Sequence, residues 1–385
     1  MLSYDNTKLK SMDMKKQKWA VMLLAASIFT ACGSSKKEQT VNEENTLTRT
    51  PETERLLAGL KTISSKGIMF GHQDDTAYGI GWEGDEGRSD VKSVCGDYPA
   101  VIGFDLGELE LGNVANLDKV PFEKIKKEII NQYRRGGMVS LSWHARNPKT
   151  GGDSWDVSDT AVVASVLPGG EHHAKFAAWL DGVAGFLNSL RTAEGTKVPV
   201  LFRPWHEHTG SWFWWGEKLC TPDQYKALWH MTVDSLQAKG VDNVLYAYSP
   251  GAEPKDTAQY LKRYPGDGRI DVIGFDTYQS GDCEMYLDGM DRMLAVTDSI
   301  ARTHGKVMAV TETGYEGIPD EKWWTGTLLP ALEKYPVAYV LTWRNAREKV
   351  THYYAPYPGQ ASAADFVEFC NSSGTLFASD VNLYQ

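Results

Sequence analysis

The chain has little cysteine, no strong positive charge and no apolar run long enough to cross a membrane comfortably, and each shortage removes a class of protein. Five of its 385 residues are cysteine, and Cys95, Cys220, Cys283 and Cys370 are far apart with no C-x-x-C spacing. A zinc site is therefore not expected. Disulfides among these four allow three pairings, and buried free thiols are the alternative. The formal net charge is -10, with no run of Lys or Arg beyond the N-terminus. Nucleic acid, whose phosphates require a basic face, is excluded as a partner. No Gly-rich phosphate loop follows the first apolar run, where the chain reads GHQDDTAYG. The H-E-H at His206 to His208 is not the H-E-x-x-H that sets two metal ligands on one helical face.

What is abundant is flat aromatic surface. There are 13 Trp and 18 Tyr, side chains with broad apolar faces and polar tips. They are densest in RPWHEHTGSWFWWG, residues 203–216, where they alternate with His206, Glu207, His208, Thr209 and two glycines. A dry core would not accept that many polar groups, so the stretch reads as the floor of a binding cleft.

The N-terminus is processing sequence. Lys15, Lys16 and Lys18 precede the apolar run WAVMLLAASIF and then TACGSS, with Met14 a candidate start. A cysteine after small residues marks a lipoprotein signal, so residues 1–32 are expected to be a signal peptide and lipobox, with Cys32 the lipidated residue. An ordinary cleaved signal with an incidental Cys32 is the alternative. The polar residues 33–50 read as a flexible tether and 51–385 as one catalytic domain. Either form of the signal places the protein outside the cytoplasm, and the lipidated form in the cell envelope. No acidic residue follows Cys32 directly in TACGSSKKEQ, whereas lipoproteins of Gram-negative glycan degraders exported to the surface often carry an early acidic stretch. A periplasm-facing anchor is therefore expected.

From residue 51 short apolar runs alternate with longer amphipathic ones. The runs are GIMFGHQ, PAVIGFDLGE, GMVSLSWH, VPVLFRPWHE, DNVLYAYSPG, IDVIGFDTY, KVMAVTETG and AYVLTWRN. Eight near-continuous apolar strands separated by helix-like segments such as PFEKIKKEIINQYRR predict a parallel sheet covered by helices, closed as a (β/α)8 TIM barrel. The strands end in His72, Asp105 and Glu108, His144, Glu207, Ser249, Asp276 and Tyr278, Glu312, then Trp343 and Arg344. In such a barrel these ends share one face, where active sites are built. Glu207 after the fourth strand and Glu312 after the seventh stand across the barrel from each other. Two opposed carboxylates are what glycosidic cleavage needs, one to protonate the leaving oxygen and one to meet the oxocarbenium-like transition state.

RPWHEHTGSWFWWG, TETG, GFDTY and TWRN together resemble glycoside hydrolase family 26, a family dominated by β-1,4-mannanases, over the chain from about residue 51 to its end. The resemblance implies Glu207 as acid/base and Glu312 as nucleophile of a retaining endo-1,4-β-mannanase acting on mannan or galactomannan as a monomer, with no metal and no cofactor. It implies substrate contacts from His144, His206, Trp212, Tyr278, Trp343 and Arg344. Trp212 and Trp343 would wall the scissile bond, and His206 would hydrogen-bond the sugar or the nucleophile. Tyr278 would hydrogen-bond Glu312, and Arg203 would support the strand ends from beneath. Trp214 and Trp215 could equally be packing or sugar contacts. Xylan and mixed-linkage glucan are the family's other substrates, and a non-catalytic glycan-binding lipoprotein is the rival class. The long stretch ARNPKTGGDSWDVSDTAVVASVLPGGEH after the third strand could wall off distant subsites, favouring release of mannobiose from chain ends, or only shape the rim.

Overall fold

The computed structural model describes residues 47–385; the expected signal, Cys32 and nearly all of the expected tether lie outside them. Eight parallel strands form the centre: β1 (Ile68–Gln73), β2 (Val101–Asp105), β3 (Met138–Trp143), β4 (Val200–Pro204), β5 (Val244–Tyr248), β6 (Val272–Ile273 and Asp276–Gln279), β7 (Val307–Met308 and Val310–Tyr315) and β8 (Tyr339–Thr342). Each pairs in parallel with the next, and β8 returns to β1 through Met69 opposite Tyr339 and His72 opposite Thr342, so the sheet closes on itself. The eight predicted apolar runs supply these strands, as the (β/α)8 expectation requires.

β6 and β7 are interrupted at one level, around Gly274 and Ala309. A Cβ at Gly274 would lie 2.7 Å from the Thr311 side chain and 2.8 Å from the Ala309 carbonyl oxygen. Only glycine allows the two strands to approach there.

Period-two alternation sorts each strand into an inner and an outer set. Leu201, Leu245, Ala247, Val272 and Ala309 fill the barrel interior with Met69, Tyr339 and Leu341. Val200, Phe202, Tyr246, Tyr248 and Phe275 face the surrounding helices. Those helices show matching signals. Phe122–Arg134 buries Phe122, Ile125 and Ile129 along one stripe. Pro222–Ala238 opens on a capping box between Thr221 and Gln224, with proline in its first turn. Residues 47–50, read above as the end of the tether, are hydrogen-bonded to the barrel. Thr50 donates its N–H to the Asp242 carbonyl at 2.9 Å, its side chain caps the helix Pro51–Ile63, and Arg49 pairs with Asp271. The tether boundary therefore falls a few residues earlier than charge and polarity suggested, because Arg49 finds a buried carboxylate far along the chain.

Candidate active site

Beyond β4 the chain twice enters left-handed backbone at residues other than glycine, with φ 54° at Trp205 and 51° at Glu207. Such conformations cost about 1 to 3 kcal/mol each and persist only where surrounding contacts enforce them. Here the Glu207 N–H donates to the Ser249 carbonyl at 2.8 Å. Trp205 is fully buried, its indole donating to Thr232 at 3.2 Å and its carbonyl accepting from Tyr225 at 2.9 Å. The strained turn aims Glu207 across the barrel mouth. Trp214 and Trp215 are fully buried and donate to the carbonyls of Ala145 and His206 at 3.0 and 2.8 Å. They are packing that supports the turn. Trp212 is 41% exposed, and its indole donates to Glu207 Oε2 at 2.6 Å.

The inward alternation of β4 continues from Leu201 to Arg203, which puts a guanidinium in the top layer of the barrel interior. Buried charge is tolerated only when paired. Arg203 Nη1 donates to Asp276 Oδ2 at 2.8 Å and Ser249 Oγ at 3.1 Å, and Nη2 donates to Glu312 Oε1. The remaining Glu312 oxygen accepts from the Tyr278 hydroxyl at 2.8 Å. Thr311 donates to the other Asp276 oxygen at 2.7 Å. Glu312 is thus held and oriented by one donor on each oxygen.

Glu207 behaves differently. Burial, then the charge of Glu312, pushes its carboxyl up to about 7, which suits a general acid at neutral pH. Oxygens of Glu207, Glu312 and Asp276 lie within 4.8 Å of one another. That spacing could also cradle a cation, but Arg203 already supplies positive charge to two of the three. Burial, then Glu312, raises the Tyr278 phenol far above its usual range, so it stays protonated and remains a donor.

The imidazoles form a second group. His144 Nδ1 lies 2.7 Å from Asp105 Oδ2, and Asp105 accepts from Ser142 at 2.6 Å and from the Gly107 N–H at 2.6 Å. Burial opposes charge on His144, yet Asp105 raises its pKa. His144 Nε2 meets His206 Nε2 at 3.2 Å. Burial, then Arg203, pushes the pKa of His206 well down, so it is neutral. The contact found for His206 is His144 rather than Glu312. His208, next to Glu207 in the chain, is buried between the rings of Tyr225 and Tyr248 at 4.3 and 4.8 Å.

Of the other predicted positions, Trp343 is partly exposed at the mouth, its ring 6.2 Å from that of His144. Arg344 has protein partners of its own: Asp118 at 3.1 Å, Glu348 at 2.8 Å and the Tyr78 hydroxyl at 3.3 Å. His72 turns away to Asp75 at 2.8 Å. One rim residue received no role from composition or spacing. Trp155, in the long stretch after β3, stacks on His144 with centroids 5.1 Å apart and planes at 17°, and is 47% exposed. Asp105 appeared among the strand ends, but only the fold shows that it holds His144.

A closed (β/α)8 barrel with two glutamates opposed at the ends of strands four and seven is the architecture of a barrel glycoside hydrolase. The chain belongs to glycosyl hydrolase family 26, whose family model matches residues 46–352. It is similar to a mannan endo-1,4-beta-mannosidase of Bifidobacterium adolescentis, 34% identical across 87% of this chain but only 35% of that longer protein. A mannan endo-1,4-beta-mannosidase of Bacillus subtilis is 27% identical, the match covering 74% of this chain and 77% of the relative. Among solved structures, a family 26 beta-mannanase from Bacteroides ovatus is 63% identical, with a TM-score of 0.87 over 88% of this chain and 98% of that one. A modular endo-beta-1,4-mannanase from Cellulomonas fimi is 38% identical, with a TM-score of 0.79 over 88% of this chain and 78% of that one.

Proposed function

We propose that the chain is a retaining β-mannanase that hydrolyses β-1,4-mannosidic linkages of mannan or galactomannan by double displacement. The observation that carries this is the unlike pair of carboxyls within 4.8 Å, Glu312 held by donors from Arg203 and Tyr278, and Glu207 with its pKa raised to about 7. In retaining enzymes the two groups stand about 5 to 5.5 Å apart, against about 6.5 to 9.5 Å where a water must fit between sugar and base. Glu312 attacks the anomeric carbon as Glu207 gives its proton to the departing oxygen. Glu207, now a carboxylate, takes a proton from water, whose oxygen displaces Glu312 and restores the starting configuration. The choice of mannan rests on the relatives' stated activities.

Azide tests the roles. With an activated β-mannoside, Glu207→Ala should yield the β-glycosyl azide and Glu312→Ala the α-glycosyl azide, because azide replaces a different partner in each. Exchanged products would reverse the roles, and activity on xylan or lichenan without mannan would reject the substrate.

The same reading includes a lipid on Cys32, a periplasm-facing anchor, action as a monomer, and internal cutting as the main mode with release of mannobiose from chain ends as its refinement. What supports the last is the stretch after β3, which is internally tied. Asn147 donates to the Asp156 carbonyl at 2.9 Å and Ser154 accepts from the Trp214 N–H at 3.1 Å, holding Trp155 over the mouth. A rapid fall in viscosity with an early ladder of oligosaccharides is what internal cutting produces; mannobiose as first product with little viscosity loss would support the end-releasing refinement. Cys32→Ala should release the protein from membranes, and degradation by protease added to intact cells would place it on the surface.

A further inference from the structure

The four cysteines among the described residues sort into one pair and two singles. The Cys220 sulfur lies 3.3 Å from the Trp215 carbonyl and 3.4 Å from Arg263 Nη1. Cys283 stands 3.8 Å from the Thr327 hydroxyl. Cys95 and Cys370 each end a helix, Asp90–Cys95 and Ala363–Cys370. The two helices pack together, which brings their terminal thiols close enough to shift each other's pKa. The chain beyond each cysteine is laced to the other. The Ala378 N–H donates to the Tyr98 carbonyl at 2.9 Å, the Ser379 N–H to Asp97 Oδ2 at 2.9 Å, and Pro99 bridges Phe377 in antiparallel fashion. Both side chains are half-buried against one core cluster.

We propose that Cys95 and Cys370 close a disulfide that fastens the connection between β1 and β2 to the C-terminal segment, while Cys220 and Cys283 stay reduced. The two helices already pack together and the segments beyond them are bonded to each other, so bridging requires no large movement. The thiols are also unlike. Donation from the Cys370 thiol lowers the pKa of Cys95, and the same contact raises that of Cys370, which makes Cys95 the attacking thiolate. Cys95 attacks an external disulfide, forming a mixed disulfide and releasing one thiolate. The Cys370 thiol loses its proton and displaces the second thiolate from Cys95. Two electrons pass to the external disulfide, and the two protons reach its leaving thiolates.

The bridge would span nearly the whole barrel in sequence, restricting the unfolded chain strongly. It would also secure the segment that places Thr375 and Leu376 beside β1 and bonds the Leu383 N–H to the Gly136 carbonyl at 2.9 Å. This inference rests on the two thiols and not on the mannanase reading; the envelope location supplies only an oxidising compartment.

The test equilibrates the full chain in oxidised or reduced glutathione, blocks free thiols and maps the peptides. Oxidation should remove two titratable thiols and about 2 Da, yield one cross-linked peptide joining Cys95 to Cys370, and raise the thermal midpoint by about 5 °C. The double variant Cys220→Ala/Cys283→Ala should retain the cross-link and the shift; Cys95→Ala and Cys370→Ala should lose both. A bridge through Cys220 or Cys283, no bridge in fully oxidising buffer, or a bridge that leaves the midpoint unchanged would each overturn the proposal.

Discussion

The Tyr278 hydroxyl lies 2.8 Å from Glu312 Oε2, the oxygen that Arg203 leaves open when it takes Oε1. Removing the hydroxyl with Tyr278→Phe deletes one hydrogen bond to a charged acceptor, worth about 1.5 to 3 kcal/mol. Turnover should fall about 10- to 100-fold with the fold intact. Steady-state kinetics on a β-mannoside checks this, and unchanged turnover would mean that the phenol does not serve Glu312.

Arg203 serves two carboxylates at once. Arg203→Met should destabilise the barrel by about 3 to 5 kcal/mol, because Asp276 and Glu312 would be left buried without a counter-charge. Arg203→Lys keeps the charge but not the fork, and should recover stability more fully than turnover. Urea unfolding beside kinetics separates the two effects.

In the proposed mechanism the proton on Glu207 sets the alkaline limit of activity. Its carboxyl is raised to about 7 by burial and then by Glu312, so kcat/KM should decline as pH rises through about 7. Glu312→Gln removes the repulsion, and a spectroscopic titration of Glu207 in that variant should show a lower pKa. Trp212 donates to Glu207 and favours its charged form, so Trp212→Phe should move the alkaline limb upward. A limb unmoved by Trp212→Phe, or a Glu207 pKa unmoved by Glu312→Gln, would assign the limb to another group.

The pair of His144 and Asp105 makes stability depend on pH in two windows. Burial opposes both charges, yet each partner stabilises the other: His144 is raised and Asp105 is held low. The His144 contribution is full below about 6.5, its unfolded value, and is lost as pH rises through the raised folded value. The Asp105 contribution is present above about 3.9 and is lost as pH falls through its lower folded value. Asp105→Ala should cost about 3 kcal/mol near pH 6 and flatten both slopes in urea unfolding measured against pH.

The eight strands were legible because a parallel strand is buried on both faces and therefore appears as an unbroken apolar run. Glu207 and Glu312 were legible because they close two of those runs. The breaks in β6 and β7 were not, since IDVIGFDTY and KVMAVTETG are as apolar as their neighbours, and only the closeness of Gly274 to Thr311 reveals them. Trp214 and Trp215 could not be separated from Trp212 by composition; the fold buries two and exposes one. Arg344 appeared free to meet a sugar because its partner Asp118 lies far away along the chain. Trp155 was hidden in a stretch whose length was informative but whose individual residues were not.

The interruption shared by β6 and β7 divides the barrel into two storeys. Below it, Val272 and Ile273 pair with Val307 and Met308; above it, Asp276 to Gln279 pair with Glu312 to Tyr315. The upper storey of these two strands carries Asp276, Tyr278 and Glu312, and the lower one carries only packing. A lower storey filled with different apolar side chains could therefore change how long the protein survives heat without altering the reaction performed above it.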